Sequence, residues 1–202
     1  MKAFGISLLI SLLGCASCAG PAAERFVDIA SIDKTIAVDI RYATENNFTG
    51  KILYPANRCL LRPDVARRLA RVNGNLKRRG LGLKLWDCYR PLSIQRELWK
   101  MVPDPRYVAD PAKGSRHNRG AAVDITLVGP DGKELEMPTG YDDFSEKAHR
   151  DYGGASPSAA KNRETLSTAM NAEGFEGLST EWWHFDAQNW RSYPISDAPL
   201  GS

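Results

Sequence analysis

In the run Ala121-Ala122-Val123-Asp124-Ile125-Thr126-Leu127-Val128 a carboxylate sits among apolar neighbours. The run reads as a strand, closed by the turn Gly129-Pro130-Asp131-Gly132. An aspartate flanked by Val123 and Ile125 cannot leave water without a counter-charge or hydrogen bonds. The fold must therefore bring a counter-charge or hydrogen-bond donors to this strand. A divalent metal is one solution, and a paired arginine is the other.

The chain has only three histidines, His117, His149 and His184. His117 precedes Asp124 by a loop-to-strand spacing, and Gly120-Ala121-Ala122 lets the backbone pack closely where the chain enters the strand. His184 lies in Glu181-Trp182-Trp183-His184-Phe185, read as a final short strand over 181–185. On a regular strand a three-residue offset points Glu181 and His184 to opposite faces, whereas a twisted or bulged strand end lets them converge. The site would then have two imidazoles and one carboxylate as ligands, an acceptable set for zinc. Glu181 would be a carboxylate that need not touch the metal. Zinc keeps its fourth position for water, and a free carboxylate nearby can move that water's proton. A fourth ligand from His149 would close the site; local packing is its plainer role. Trp182 and Trp183 either wall the site or serve as ordinary core aromatics.

Around these motifs the pattern alternates between strands and helices. Residues 37–42 and 83–89 alternate as strands, and 46–50 carry turn chemistry. A helix opens at Arg62-Pro63-Asp64 and runs to about Arg79, with Val65, Leu69, Val72 and Leu76 at helical spacing and Gly80 ending it. A second helix spans about 92–101, stopped by Pro103, and a third about 159–173, ended by Gly174. No regular βαβ rhythm appears, so the expected class is α+β. We expect one compact domain over 21–202, with a mainly antiparallel central sheet flanked by helices and the metal site at the sheet. At 202 residues the chain can bury a sizeable core, and a formal charge of +3 gives no support for nucleic-acid binding.

The first 20 residues differ from the rest. Lys2, an apolar run from Ala3 to Leu13 and then small residues form the three-part pattern of a secretion signal. Leu12-Leu13-Gly14-Cys15 resembles a bacterial lipobox, which would anchor the chain through a lipidated Cys15; Ser17-Cys18-Ala19 fits ordinary cleavage equally well. The expected location is periplasmic or otherwise exported. Beyond this leader only Cys59 and Cys88 remain. An oxidising compartment invites a disulfide between them, worth on the order of 3 kcal/mol; two separate buried thiols are the other reading.

The motifs resemble those of the VanX-type zinc D-alanyl-D-alanine dipeptidases, within the wider D-Ala-D-Ala peptidase family. Ser-x-His-x-x-Gly-x-Ala-x-Asp is met by Ser115 through Asp124, and Glu-x-x-His by Glu181 through His184. Tyr42-Ala43-Thr44 with Asn47-Phe48-Thr49-Gly50 is similar to the dipeptidase N-terminal segment, and Asp87-Cys88-Tyr89-Arg90-Pro91 to the family's arginine motif. The resemblance covers about 26–194. It implies one Zn2+ per chain held by His117, Asp124 and His184, with Glu181 as the general base. It implies that Arg90 stabilises the oxyanion; a structural salt bridge is that arginine's other role. It implies that the acidic stretch Tyr141-Asp142-Asp143-Phe144 receives the substrate's ammonium, through Asp142 with Asp143 competing, and that Ser115 contacts substrate. The implied partner is a small dipeptide, D-Ala-D-Ala, cleaved in cell-wall turnover. A D,D-carboxypeptidase acting on longer stem peptides would share the metal set but need an open cleft. A binding module with a vestigial zinc site is the non-enzymatic alternative. The export pattern departs from the cytoplasmic members, so their resistance role does not carry over.

Overall fold

The apolar run forms β5 (Ala122–Val128), and every residue of it is buried. A strand buried on both faces must lie inside its sheet, with cover above and below. A computed structural model, which describes residues 25–201, shows that arrangement. The signal pattern and Cys15 lie outside the described residues. The sheet has five strands in the order β2-β4-β5-β7-β6, namely β2 (Ala37–Val38), β4 (Gly82–Asp87), β7 (His184–Ala187) and β6 (Phe175–Gly177) around β5. All neighbours are antiparallel except β2 and β4. A separate two-stranded pairing joins β1 (Val27–Asp28) to β3 (Leu60–Leu61). The expected α+β class, with a mainly antiparallel sheet, is what the chain adopts.

Helix α1 (Pro63–Lys77) buries Val65, Leu69, Val72 and Leu76, the stripe expected from their spacing, and packs against β4. Pro63 occupies its first turn, where a missing N–H costs nothing. Helix α2 (Leu92–Met101) follows Pro91 directly. Helix α3 (Pro157–Asn171) is capped by Ser156, whose hydroxyl accepts from the Ala159 N–H, and it packs against β6 and α1.

Two expected strands are corrected. Only Ala37–Val38 of 37–42 is a strand, and Arg41–Ala43 turns into a 3-10 helix. Tyr42 there is buried, and its carbonyl accepts from both Leu53 and Tyr54 at 2.8 and 2.9 Å, which bends the chain out of the sheet. The last strand begins at His184 rather than 181, so Glu181 lies in the turn leading into it. Cys59 and Cys88 form a disulfide, closing a separation of 29 residues.

Register places the site. Asp124 pairs with His184 on one side and Asp87 on the other. The β4–β5 ladder shifts between Leu85 and Asp87, a bulge at Trp86 that brings Asp87 alongside Asp124. Three polar side chains thus stand in one row across the sheet.

Candidate active site

His117 opens a 3-10 turn, His117–Arg119, that ends at Gly120 with φ 65°. This left-handed residue turns the chain into β5, and a Cβ there would meet the Phe26 ring at 2.4 Å, so only glycine fits. The His117 Nδ1–H donates to the Cys88 carbonyl at 2.7 Å. A carbonyl only accepts, so that nitrogen holds the proton and Nε2 presents a lone pair. His184 Nε2 lies 2.9 Å from Asp186 Oδ1, which assigns its proton the same way and leaves Nδ1 as the lone pair.

Those two bare nitrogens face each other at 3.2 Å. Asp124 Oδ1 lies 3.0 Å from His184 Nδ1 and 3.4 Å from His117 Nε2. The other carboxylate oxygen accepts from the Tyr141 hydroxyl at 3.0 Å. Three electron-pair donors therefore converge, all within 4.8 Å of one another, with no donor assigned between them when both rings are neutral. A cation satisfies all three together, and the set of two nitrogens and one carboxylate oxygen suits zinc. When no cation holds these groups, burial pulls the His184 imidazolium down but Asp186 and Asp124 outweigh it and raise its pKa to about 10, so a proton takes the Nδ1 position and a metal must displace it to reach the lone pair. Burial disfavours the Asp124 charge too, yet His117 and His184 hold it far below the ordinary carboxylate range.

Glu181 stands beside this cluster, its Oε2 3.9 Å from His184 Nδ1. Because Glu181 precedes β7, the opposite-face problem of a strand does not arise. Burial pushes its carboxyl up to about 7, with Asp124 adding to the shift and His184 opposing it. A carboxyl poised there can both take and return a proton near neutral pH.

Arg90 combines the two roles weighed for it. Its Nε and Nη2 donate to Asp87 Oδ2 at 3.2 and 2.6 Å, and Nη1 donates to Gln95 at 2.8 Å. Asp87 is fully buried, and its other oxygen accepts from Tyr54 and from the Cys88 N–H. Three of the five guanidinium N–H groups are thus committed, and the arginine still lines the cavity.

That cavity, of about 290 Å³, is shared by the three candidate ligands, Glu181, Arg90 and Asp142. Asp142 adopts φ 58°, the only non-glycine positive φ among the described residues. Its Oδ2 accepts at 3.4 Å from the Tyr42 hydroxyl and from the Phe48 N–H. Burial foremost, then Asp124, raises its pKa to about 8. Asp143 is instead spent locally, accepting from the Ser145 N–H, and does not line the cavity. Ser115 is buried on the cavity wall, where its Oγ accepts from the His117 N–H at 3.2 Å. His149 lies outside the ligand cluster. Tyr141 and Asp186 were not singled out in the sequence. Asp186 had a legible signal, because two residues beyond His184 on a strand is the same face.

The chain matches the model of the D-Ala-D-Ala dipeptidase family over residues 22–196. It is 40% identical over 171 residues to the D-alanyl-D-alanine dipeptidase of Escherichia coli strain K12, covering 85% of this chain and 89% of that one. It is 33% identical over 179 residues to the D-alanyl-D-alanine dipeptidase of Enterococcus faecium, covering 78% and 88%. Among solved structures, the vancomycin-resistance D,D-dipeptidase VanXYg in complex with a D-Ala-D-Ala phosphinate analogue matches at a TM-score of 0.41 and 21% identity, over 81% of this chain and 66% of that one.

Proposed function

The chain belongs to the D-Ala-D-Ala dipeptidase family, and from that membership we propose that it hydrolyses D-Ala-D-Ala to two D-alanines as a zinc metallopeptidase. His117, Asp124 and His184 would hold one zinc ion per chain. When bound, the metal supplies Lewis acidity, lowering the pKa of a water and polarising the scissile carbonyl. Glu181 takes the proton from the attacking water and returns it to the leaving amine. Arg90 faces the carbonyl oxygen, where negative charge grows in the transition state, and Asp87 with Gln95 holds its guanidinium in place. Asp142 pairs with the substrate's ammonium, and Ser115 contacts the substrate from the wall of the same cavity.

One observation carries this proposal: two imidazole nitrogens and Asp124 Oδ1 converge beside the Glu181 carboxylate, 3.9 Å from His184 Nδ1. A vestigial binding module would have no use for a carboxylate at that position. The cavity lies at the small end for ligand sites, which favours a dipeptide over a stem peptide. The setting we propose is outside the cytoplasm, in turnover of cell-wall peptides. The N-terminal signal pattern and the Cys59–Cys88 disulfide support it. A lipidated Cys15 would add a membrane anchor; among the described residues no helix is long and apolar enough to cross a bilayer.

The test is substrate length at the amine end. D-Ala-D-Ala should be cleaved, while N-acetyl-D-Ala-D-Ala, which lacks the ammonium, should be cleaved at least about 100-fold less efficiently, the loss expected when a buried carboxylate goes unpaired. Equal cleavage of the two would point to a D,D-carboxypeptidase.

A further inference from the structure

A dipeptide carries a carboxylate as well as an ammonium, and the cavity must supply a cation for it. Three arginines lie on the cavity wall, Arg90, Arg106 and Arg116. Arg90 is committed to Asp87 and Gln95. Arg106 is held by Asp104 through bonds of 3.0 and 2.5 Å, with its side chain 72% exposed at the rim. Arg116 differs from both. Its Nε stands 3.5 Å from Asp186 Oδ2, at the edge of hydrogen-bonding range, and is buried without a hydrogen-bond partner. Asp186 is already engaged by His184 at 2.9 Å. The guanidinium carbon rests 5.0 Å from the centre of the Trp190 ring, and the side chain is 41% exposed, within reach of a ligand.

A run of contacts links Arg116 to the rest of the site. Tyr141, next to Asp142 in the chain, holds Asp124; Asp124 meets His184, His184 meets Asp186, and Asp186 meets Arg116. Asp142, Arg116 and the three candidate ligands line one cavity, so an acid, a cation and the metal cluster all face the space a dipeptide would fill. We propose that Arg116 binds the substrate's C-terminal carboxylate, so that Asp142 and Arg116 together measure a free dipeptide end to end. This assignment rests on the dipeptidase function proposed above. Arginine suits the role because its planar fork meets a carboxylate with two parallel bonds.

The decisive experiment separates binding from turnover. Calorimetry would be run on the zinc-loaded Glu181→Ala protein, titrated with D-Ala-D-Ala and with its C-terminal amide. The free acid should bind at least about tenfold more tightly than the amide, the value of a charged hydrogen bond. Adding Arg116→Gln should abolish that preference by weakening the acid alone. Arg116→Met, which keeps an unbranched stem beside Trp190 without the charge, should do the same and decides the matter if the glutamine variant fails to fold. Equal weakening of acid and amide would reduce Arg116 to a support for Asp186 and overturn the proposal. So would an acid preference that survives both substitutions. Turnover by the unsubstituted protein is read in parallel. An Arg116-dependent acid preference without cleavage would uphold Arg116 and defeat the dipeptidase function instead.

Discussion

At Asp142 the backbone sits at φ 58°, a conformation that costs a non-glycine residue energy, and the side chain it aims is a carboxyl out of bulk water. Burial raises its pKa from 3.8 to about 8. Across that window the folded protein holds a proton that the unfolded chain has released. The contribution to stability is therefore present at low pH and is lost as pH rises through about 8. Asp142→Asn should flatten this fall, and urea midpoints at acidic, neutral and alkaline pH would show it. An unchanged slope would assign the fall to another group. Glu181 makes a complementary prediction. Glu181→Ala should lower kcat by about 10²–10⁴-fold while the purified protein keeps its zinc content. Loss of the metal together with activity would make Glu181 a ligand.

At the scale of elements, the loop 87–90 ties several parts together. Cys88 gives its carbonyl to His117, Asp87 fixes Arg90, and the Arg90 N–H donates to the His117 carbonyl. The Cys59–Cys88 bridge anchors this loop to the segment entering β3. Replacing both cysteines by serine should cost about 3–4 kcal/mol by the chain-entropy model, measured by chemical denaturation. No change in stability would mean that the hydrogen bonds alone suffice. What the sequence made legible at this scale follows from periodicity and motif. The α1 stripe, the β5 run and the His117–Asp124 spacing each span enough residues to state a pattern. Strands β1, β3 and β6, of two or three residues, are too short to show alternation. The Trp86 bulge and the late start of β7 depend on pairing across the sheet, which no local pattern records. For the same reason Asp142 could be told from Asp143 only once the fold had put one in the cavity and the other in a turn.

The whole molecule is organised around β5, a fully buried strand that carries a charge. Helices α1 and α3, the two tryptophans of 182–183 and the aromatic residues near Tyr42 exclude water from it. The row Asp87, Asp124 and His184 crosses three strands, so a change in sheet register would disperse the site. Fold and site are in this sense one arrangement, and metal binding should stabilise the whole domain. The central claim is that this arrangement hydrolyses a D,D-dipeptide with the help of a bound metal. Its most direct test is release of D-alanine from D-Ala-D-Ala by the purified protein, with and without a chelator, beside L-Ala-L-Ala. The account predicts cleavage of the D,D-dipeptide alone, abolished by the chelator and restored by added zinc. Cleavage that persists after the metal is stripped, or none by the zinc-loaded protein, would contradict it.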